Sequence, residues 1–241
     1  MPGNHDMLEQ EFDRFAQEYE QLHARVLGPS GEDPAFFAAY KPADVRRHLA
    51  AAGASDTGLR LLDFGCGVGG SLPHLRGEFP DAELIGADVS RKSLEIAERR
   101  YPGLAKLVAL TETGEMSLPD ATVDVVFSSC VFHHIPEAEH RRILRGLHRV
   151  MASRGWLFVF EHNPLNPLTR RVVDQCAFDE NAVLIRASEL RRRILAAGYE
   201  DATIRYRIFF PHALKWFRPL ENALAWCPLG AQYYVAARRG A

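Results

Sequence analysis

Between residues 59 and 70 the chain passes from an apolar run into four glycines, and that change constrains the elements on either side. Leu59, Leu61 and Leu62 read as a buried strand that reaches Asp63 and Phe64. Gly65-Cys66-Gly67-Val68-Gly69-Gly70 follows at once. Ser71-Leu72-Pro73 then reads as a helix start, with a hydroxyl at the cap and a proline in the first turn. Glycine lets a ligand approach the backbone closely, and a helix start offers unpaired N–H groups. Strand, glycine-rich turn and helix in this order predict a ligand-binding βα unit.

Two ligand classes use such a turn. Gly65, Gly67 and Gly70 have the spacing of a dinucleotide fingerprint, which keeps a nicotinamide oxidoreductase in view. Asp63, two residues before the first glycine, argues against it, because a carboxylate there repels a pyrophosphate. It suits instead a ligand with a cationic amine and a sulfonium. The stretch Leu61-Leu62-Asp63-Phe64-Gly65-Cys66-Gly67-Val68-Gly69 resembles the first motif of class I S-adenosylmethionine (SAM) dependent methyltransferases. That resemblance implies SAM as cofactor, S-adenosylhomocysteine as product, and Asp63, Gly65, Cys66, Gly67 and Gly69 as residues around them.

Further segments extend the likeness. Residues 82–88 read as a second strand ending in Asp88, placed where a carboxylate would accept bonds from two ribose hydroxyls. Gly86-Ala87-Asp88-Val89-Ser90 resembles the segment after the first motif, which adds Val89, and Ser90 reads as a helix cap. Leu118-Pro119-Asp120-Ala121-Thr122-Val123-Asp124-Val125-Val126 resembles the approach to the fourth strand, with Val123 in place of the usual phenylalanine. Where relatives carry an acid near the adenine, this chain has Gly114, so its backbone, Thr113 or Glu115 takes that role. Cys130, just after the fourth strand, is a further cofactor neighbour. Phe12-Asp13-x-x-Ala16-x-x-Tyr19-Glu20 resembles the first helix of ubiquinone/menaquinone-type methyltransferases. The resemblance implies that this helix covers the cofactor, with Tyr19 beside it.

Composition adds exclusions. A net charge of −2 marks no polyanion binder, and the arginine pairs and triplet at 141–142, 170–171 and 191–193 read as solvated helix faces rather than a nucleic-acid surface. The four cysteines have no paired spacing, so neither a zinc site nor a disulfide framework is expected, and no ligand pattern supports a metal. Residues 1–11 lack the apolar core of a signal peptide, and no run is long enough to span a bilayer. Together these predict a cytoplasmic enzyme.

One domain is expected over 1–241: a helical cap (1–56), a cofactor-binding core (57–161), and a substrate-side insertion with the C-terminal strands (162–241). The cap reads as helical with breaks near Gly28 and at Pro42. Alternating strands and helices from Leu59 to Phe160 predict a parallel α/β sheet. Strands fall near 59–63, 83–87, 106–110, 123–128 and 156–160, with a helix at Glu137–Met151. Two prolines make 162–167 a loop, and some 25 residues pass before a helix near Ser188. Strands near 203–209 and 232–237 close the chain. The resemblance implies a Rossmann-like, seven-stranded, mostly parallel sheet with its last strand antiparallel and helices on both faces.

Ligands of such sheets sit beyond the carboxyl ends of the strands. Residues 128–134 and 161–163 emerge there, which makes His133, His134, Glu161 and His162 the candidate catalytic groups. Methyl transfer is an in-line displacement, so alignment supplies much of the acceleration. A hydroxyl acceptor also needs a base, and histidine titrates in the useful range. The histidines can equally pack or cap, and Glu161 can serve as a structural acceptor. The expected reaction is therefore methyl transfer to a small molecule, with oxygen preferred. N- or C-methylation and a non-methylating cyclisation are the alternatives. The acceptor is a sugar, a lipid-linked glycan, a quinone-like ring or another metabolite, and Arg170 or Arg171 would hold an anionic one. The aromatic stretch 208–226 reads as core packing or a homodimer contact, an apolar acceptor pocket, or a membrane-surface helix.

Overall fold

The computed structural model describes residues 34–111, 114–176 and 180–241. Seven strands form one sheet: β1 (Arg60–Phe64), β2 (Glu83–Asp88), β3 (Lys106–Ala109), β4 (Val123–Ser129), β5 (Met151–His162), β6 (Glu200–Arg207) and β7 (Gln232–Arg238). Their order is β3-β2-β1-β4-β5-β7-β6. The first five run parallel, and β7 runs antiparallel to both β5 and β6. The chain moves outward from β1 to β3, then returns to lay β4 beside β1. That reversal opens a crevice at the carboxyl ends of β1 and β4.

The helices are α1 (Pro34–Ala51), α2 (Leu72–Glu78), α3 (Arg91–Arg100), α4 (Glu137–Val150), α5 (Pro167–Asp174), α6 (Ala187–Ala196) and α7 (Glu221–Leu224), with 3-10 helices at Phe132–His134 and His212–Leu220. Alternation along each strand feeds two core layers. Leu61, Val125, Phe127, Phe158 and Phe160 meet Val45 and Leu49 of α1 and Leu75 of α2. Their neighbours Leu62, Val126, Leu157 and Val159 meet Leu144 and Leu147 of α4 and Leu190 and Ile194 of α6. Covering both faces explains why the central strands read as continuous apolar runs. Each fully buried leucine or phenylalanine contributes about 2 kcal/mol, so these layers hold the loops above them.

Several expectations are corrected. Pro42 lies inside α1 and does not break it. Proline forfeits one intrahelical bond, but Val45 and Leu49 on the sheet anchor the turns after it. Ser71 makes no side-chain cap, because its backbone is already helical (φ −83°, ψ −23°) and capping needs an extended residue. Ser90 does cap, accepting from Ser93 N–H at 3.0 Å. His162 is the last residue of β5, paired with Gln232, not part of a loop. Residues 163–166 are the expected loop, but the stretch between it and the helix near Ser188 opens with α5, whose first turn is fixed by Asn166 Oδ1 accepting from Leu168 and Thr169 at 3.0 and 3.1 Å. β6 stops at Arg207, because Ile208 turns left-handed (φ 62°) and Glu221 takes the N–H groups of Ile208, Phe209 and Phe210. No residue of the 3-10 helix His212–Leu220 is buried, so core packing does not account for 212–220, whereas Ala225 after it is buried. Arg193 is not on a solvated face: it pairs with Glu137 and Glu189 and meets His140 Nδ1 at 2.7 Å, linking α4 to α6. Among the described residues no helix is long and apolar enough to cross a membrane.

Candidate active site

The glycine turn leaves β1 at Phe64 and bends tightly. Gly65 has φ +76°, and a Cβ there would stand 2.4 Å from Val131 Cγ2. The turn after β1 and the loop after β4 are therefore in contact. Gly67 is also left-handed (φ +52°), and a Cβ on it would meet nothing within 4 Å. The space in front of Gly67 is open, as a turn that lies along a ligand requires. Gly69 has another task, since a Cβ would meet Ala97, Leu72 and Tyr101 at 3.1–3.2 Å. It packs the turn against α3. Cys66 is buried with its sulfur against Gly86, facing the sheet.

Two carboxylates organise this turn. Asp88, at the end of β2, accepts from Gly67 N–H at 2.8 Å through Oδ2 and from Ser90 N–H at 2.9 Å through Oδ1. A carboxylate at this strand end is the chemistry that accepts from a pair of ribose hydroxyls. Asp63 in β1 is 2% exposed, and its Oδ2 has no hydrogen-bond partner among the described residues. Burial, reinforced by the charge of Asp88 and opposed by Lys41, pushes its carboxyl up to about 8. A buried acid short of a donor is costly until a cation or N–H group meets it. The α-ammonium of an amino-acid-like ligand is such a group, so the donor set fits SAM. Val89 is half-buried and packs against the core. Gly114 (φ +72°) donates to Thr111 O at 2.7 Å, in a loop whose Glu115 is exposed and ion-paired with Arg142 of α4 at 3.6 Å. Thr113 and Tyr19 lie outside the described residues.

Beyond β4 and β5 stands a polar cluster. Glu161 of β5 is fully buried and uses both oxygens: Oε1 accepts from Phe132 N–H at 2.8 Å, and Oε2 lies 2.5 Å from His133 Nδ1. Burial pushes the Glu161 carboxyl up, but His133 and His162 outweigh it and hold the group below the usual carboxylate range. His133 is therefore aimed by an ionised partner, as histidines that move protons commonly are. Its ring lies 4.2 Å from that of His134 and 5.3 Å from that of His162. His134 is half-buried at the end of the 3-10 helix, its N–H bonded to Val131 O. His162 Nδ1 stands 3.3 Å from Gln232 Nε2, and Gln232 Oε1 accepts from the Tyr40 hydroxyl.

Cys130 joins this cluster from β4. It is left-handed (φ 58°) and tied by its N–H to Phe160 O. Burial raises its thiol, but Lys41 and a hydrogen bond with His162 outweigh that and bring it down to about 6. Lys41 Nζ donates to Ser129 Oγ at 2.6 Å and reaches Cys130 Sγ at 3.6 Å. Among the described residues no group of three histidine, cysteine or acidic side chains could hold a metal.

The structure thus gathers His133, His134, Glu161, His162 and Cys130 at one end of β4 and β5, and Asp63, Gly65, Gly67 and Asp88 at the end of β1 and β2. Val131 against Gly65 joins the two halves. Sequence reasoning missed Tyr40, Lys41 and Gln232. The first two lie on α1, which carries no motif, and Gln232 begins the antiparallel strand. A polar Lys41 and Asp44 on the turns that also carry Phe37, Val45 and Leu49 was the available signal. Asp44 is 2% exposed and pairs with Arg207 at 2.5 Å, fixing α1 against β6.

Residues 62–159 match the family model described as methyltransferase domain. A trans-aconitate 2-methyltransferase of Methylobacterium nodulans is 32% identical over 64% of this chain and 62% of its own length. A sterol 24-C-methyltransferase of Aspergillus fumigatus is 24% identical over 75% of this chain and half of its own. The chain therefore spans less than two thirds of the length of these curated relatives. Among solved structures, a SAM-dependent methyltransferase of Thermotoga maritima shares the fold over 95% of this chain and 98% of its own, with TM-score 0.66 and 18% identity. The fold is the Rossmann-like one these methyltransferase structures share, and residues 62–159 are similar to a methyltransferase domain.

Proposed function

We propose that this chain methylates an oxygen of a small-molecule acceptor in the cytoplasm. The observation that carries the reading is His162 beside the His133–Glu161 pair at the end of β5. SAM, when bound, supplies a methyl group on a sulfonium that leaves readily. Asp63 would hold its ammonium, Asp88 its ribose hydroxyls, and Gly67 the backbone approach. The remaining task belongs to the chain: to seat the acceptor in line, exclude water and take a proton if the acceptor is a hydroxyl. His162 is the base in this reading. Gln232 and Cys130 fix its ring, and Glu161 orients His133 and keeps negative charge nearby. A carboxylate acceptor, such as the name of the Methylobacterium relative indicates for that protein, needs no base and would use a cation, for which Lys41 stands ready.

The test is turnover with methyl-labelled SAM on a panel of hydroxyl and carboxylate acceptors, with products read by mass. His162→Ala should lower turnover on a hydroxyl acceptor by about a hundredfold or more while S-adenosylhomocysteine affinity stays unchanged. Undiminished turnover on a hydroxyl acceptor removes His162 as base. A methylated nitrogen or carbon, or conversion of an acceptor without loss of SAM, overturns the oxygen reading.

A further inference from the structure

Two stretches that the site does not use share one surface. Asn166 Nδ2 donates to Leu229 O at 2.8 Å and Thr169 Oγ1 to Ala231 O at 2.9 Å, so the start of α5 lies on the turn before β7. Leu168 is 71% exposed there, Leu229 64% and Trp226 74%. The chain just before them continues the pattern, with Leu220 at 53% and Trp216 at 72%. Single exposed apolar residues are ordinary, but a run that includes two tryptophans marks an interaction surface.

The charges around it have one sign. Glu221, the one acid of 208–231, is buried and accepts from the N–H groups of Ile208, Phe209 and Phe210. Lys215 is exposed, Arg218 stacks over Phe36 at 4.3 Å, and Arg170 and Arg171 are exposed on α5. Asp174 stands at the far end of that helix. A second copy would bring the same cations face to face. An anionic lipid surface complements them, and tryptophan with its apolar body and polar edge suits the headgroup level.

We propose that this face docks on an anionic lipid bilayer, with Trp216, Trp226, Leu168 and Leu229 seated in the headgroup region and Lys215, Arg170 and Arg171 against lipid phosphates. The surface adjoins the site, since Gln232 follows it directly and stands beside His162. Docking would bring the bilayer next to the acceptor side. The inference does not depend on which atom is methylated.

The experiment uses the full chain with vesicles of phosphatidylcholine containing phosphatidylserine, against vesicles of phosphatidylcholine alone. Cosedimentation and tryptophan fluorescence report binding. Binding is expected on the anionic vesicles, weakening with added salt. Trp216→Ser and Trp226→Ser should each reduce it about tenfold, and Lys215→Gln or Arg171→Gln about fivefold. S-adenosylhomocysteine affinity, measured on the same samples, should not change, which shows that the variants fold. Absence of binding, equal binding to neutral vesicles, or indifference to the tryptophan substitutions overturns the proposal. So does a dimer, seen by light scattering, that the two tryptophan substitutions together convert to monomer, because the face is then a self-interface.

Discussion

Replacing Asp63 by asparagine should make the ligand-free protein more stable and the ligand weaker, with a pH dependence that identifies the cause. Burial first, and then the charge of Asp88, raise the Asp63 carboxyl from 3.8 to about 8. A carboxyl whose folded pKa exceeds its unfolded value is more tightly protonated in the native state. The fold is then least burdened at low pH and loses stability as pH rises from about 4 to about 8. Between those limits the cost is at most on the order of 6 kcal/mol. Relaxation and water entry reduce such costs, and half of that bound, about 3 kcal/mol, is a working figure. Asparagine keeps the shape and cannot ionise. At about pH 8, Asp63→Asn should raise the melting temperature by roughly 6–12 °C for a chain of this size. At about pH 5, where the folded carboxyl is still protonated and the loss has only begun, the same reckoning leaves about 0.8 kcal/mol, and the difference should shrink to about 2–3 °C. Calorimetry of ligand-free protein at the two pH values measures this, and titration with S-adenosylhomocysteine at the higher pH should show affinity lower by about tenfold or more. A variant less stable at about pH 8, or a melting difference equal at both pH values, would refute the reasoning.

Three other substitutions probe separate parts of the site. Gly65→Ala meets both a left-handed backbone, worth about 1–2 kcal/mol, and Val131 Cγ2 at 2.4 Å, so its melting temperature should fall; adding Val131→Ala should restore only the steric part. Glu161→Gln should leave S-adenosylhomocysteine affinity intact, cut turnover by about a hundredfold and move the acid limb of the pH–rate profile, because His133 loses its anionic partner. The Glu161 pKa is depressed on folding, so its stabilisation is present above 4.5 and is lost as pH falls; the variant should lack that acid-side loss. Glu221→Ala strips the acceptor from three backbone N–H groups at 208–210 and should cost about 2–3 kcal/mol in urea unfolding at neutral pH.

The candidate cofactor half of the site was legible because its signals are local. A left-handed turn requires glycine, a strand end can be read from its apolar run, and Asp88 follows the turn at a fixed interval. Gly65, Gly67 and Asp88 lie within two βα units, and the sheet brings them together as expected. The substrate half depends on contacts distant in sequence. Lys41 meets Ser129, and Tyr40 meets Gln232, across the whole fold. No spacing rule links such pairs. Pro42 misled because tertiary packing outweighs one missing helix bond. The loop at 163–166 is legible from its prolines, but α5 directly after it is not, because Pro167 reads as the end of a loop rather than as the first-turn proline of a helix capped by Asn166. The aromatic density of 208–226 was plain, but density alone does not tell a core from a surface. The buried acid Glu221, which holds the turn at 208–210, becomes visible only in three dimensions.

The most direct test of the account is calorimetric titration of the purified chain, freed of carried-over ligand, with SAM, S-adenosylhomocysteine and NAD, beside the Asp88→Ala variant. The account predicts micromolar binding of SAM and S-adenosylhomocysteine, no binding of NAD, and a loss of about tenfold or more in the variant with its melting temperature little changed. Binding of NAD instead, or equal SAM affinity in wild type and variant, would contradict the assignment of the glycine turn and Asp88 to this cofactor.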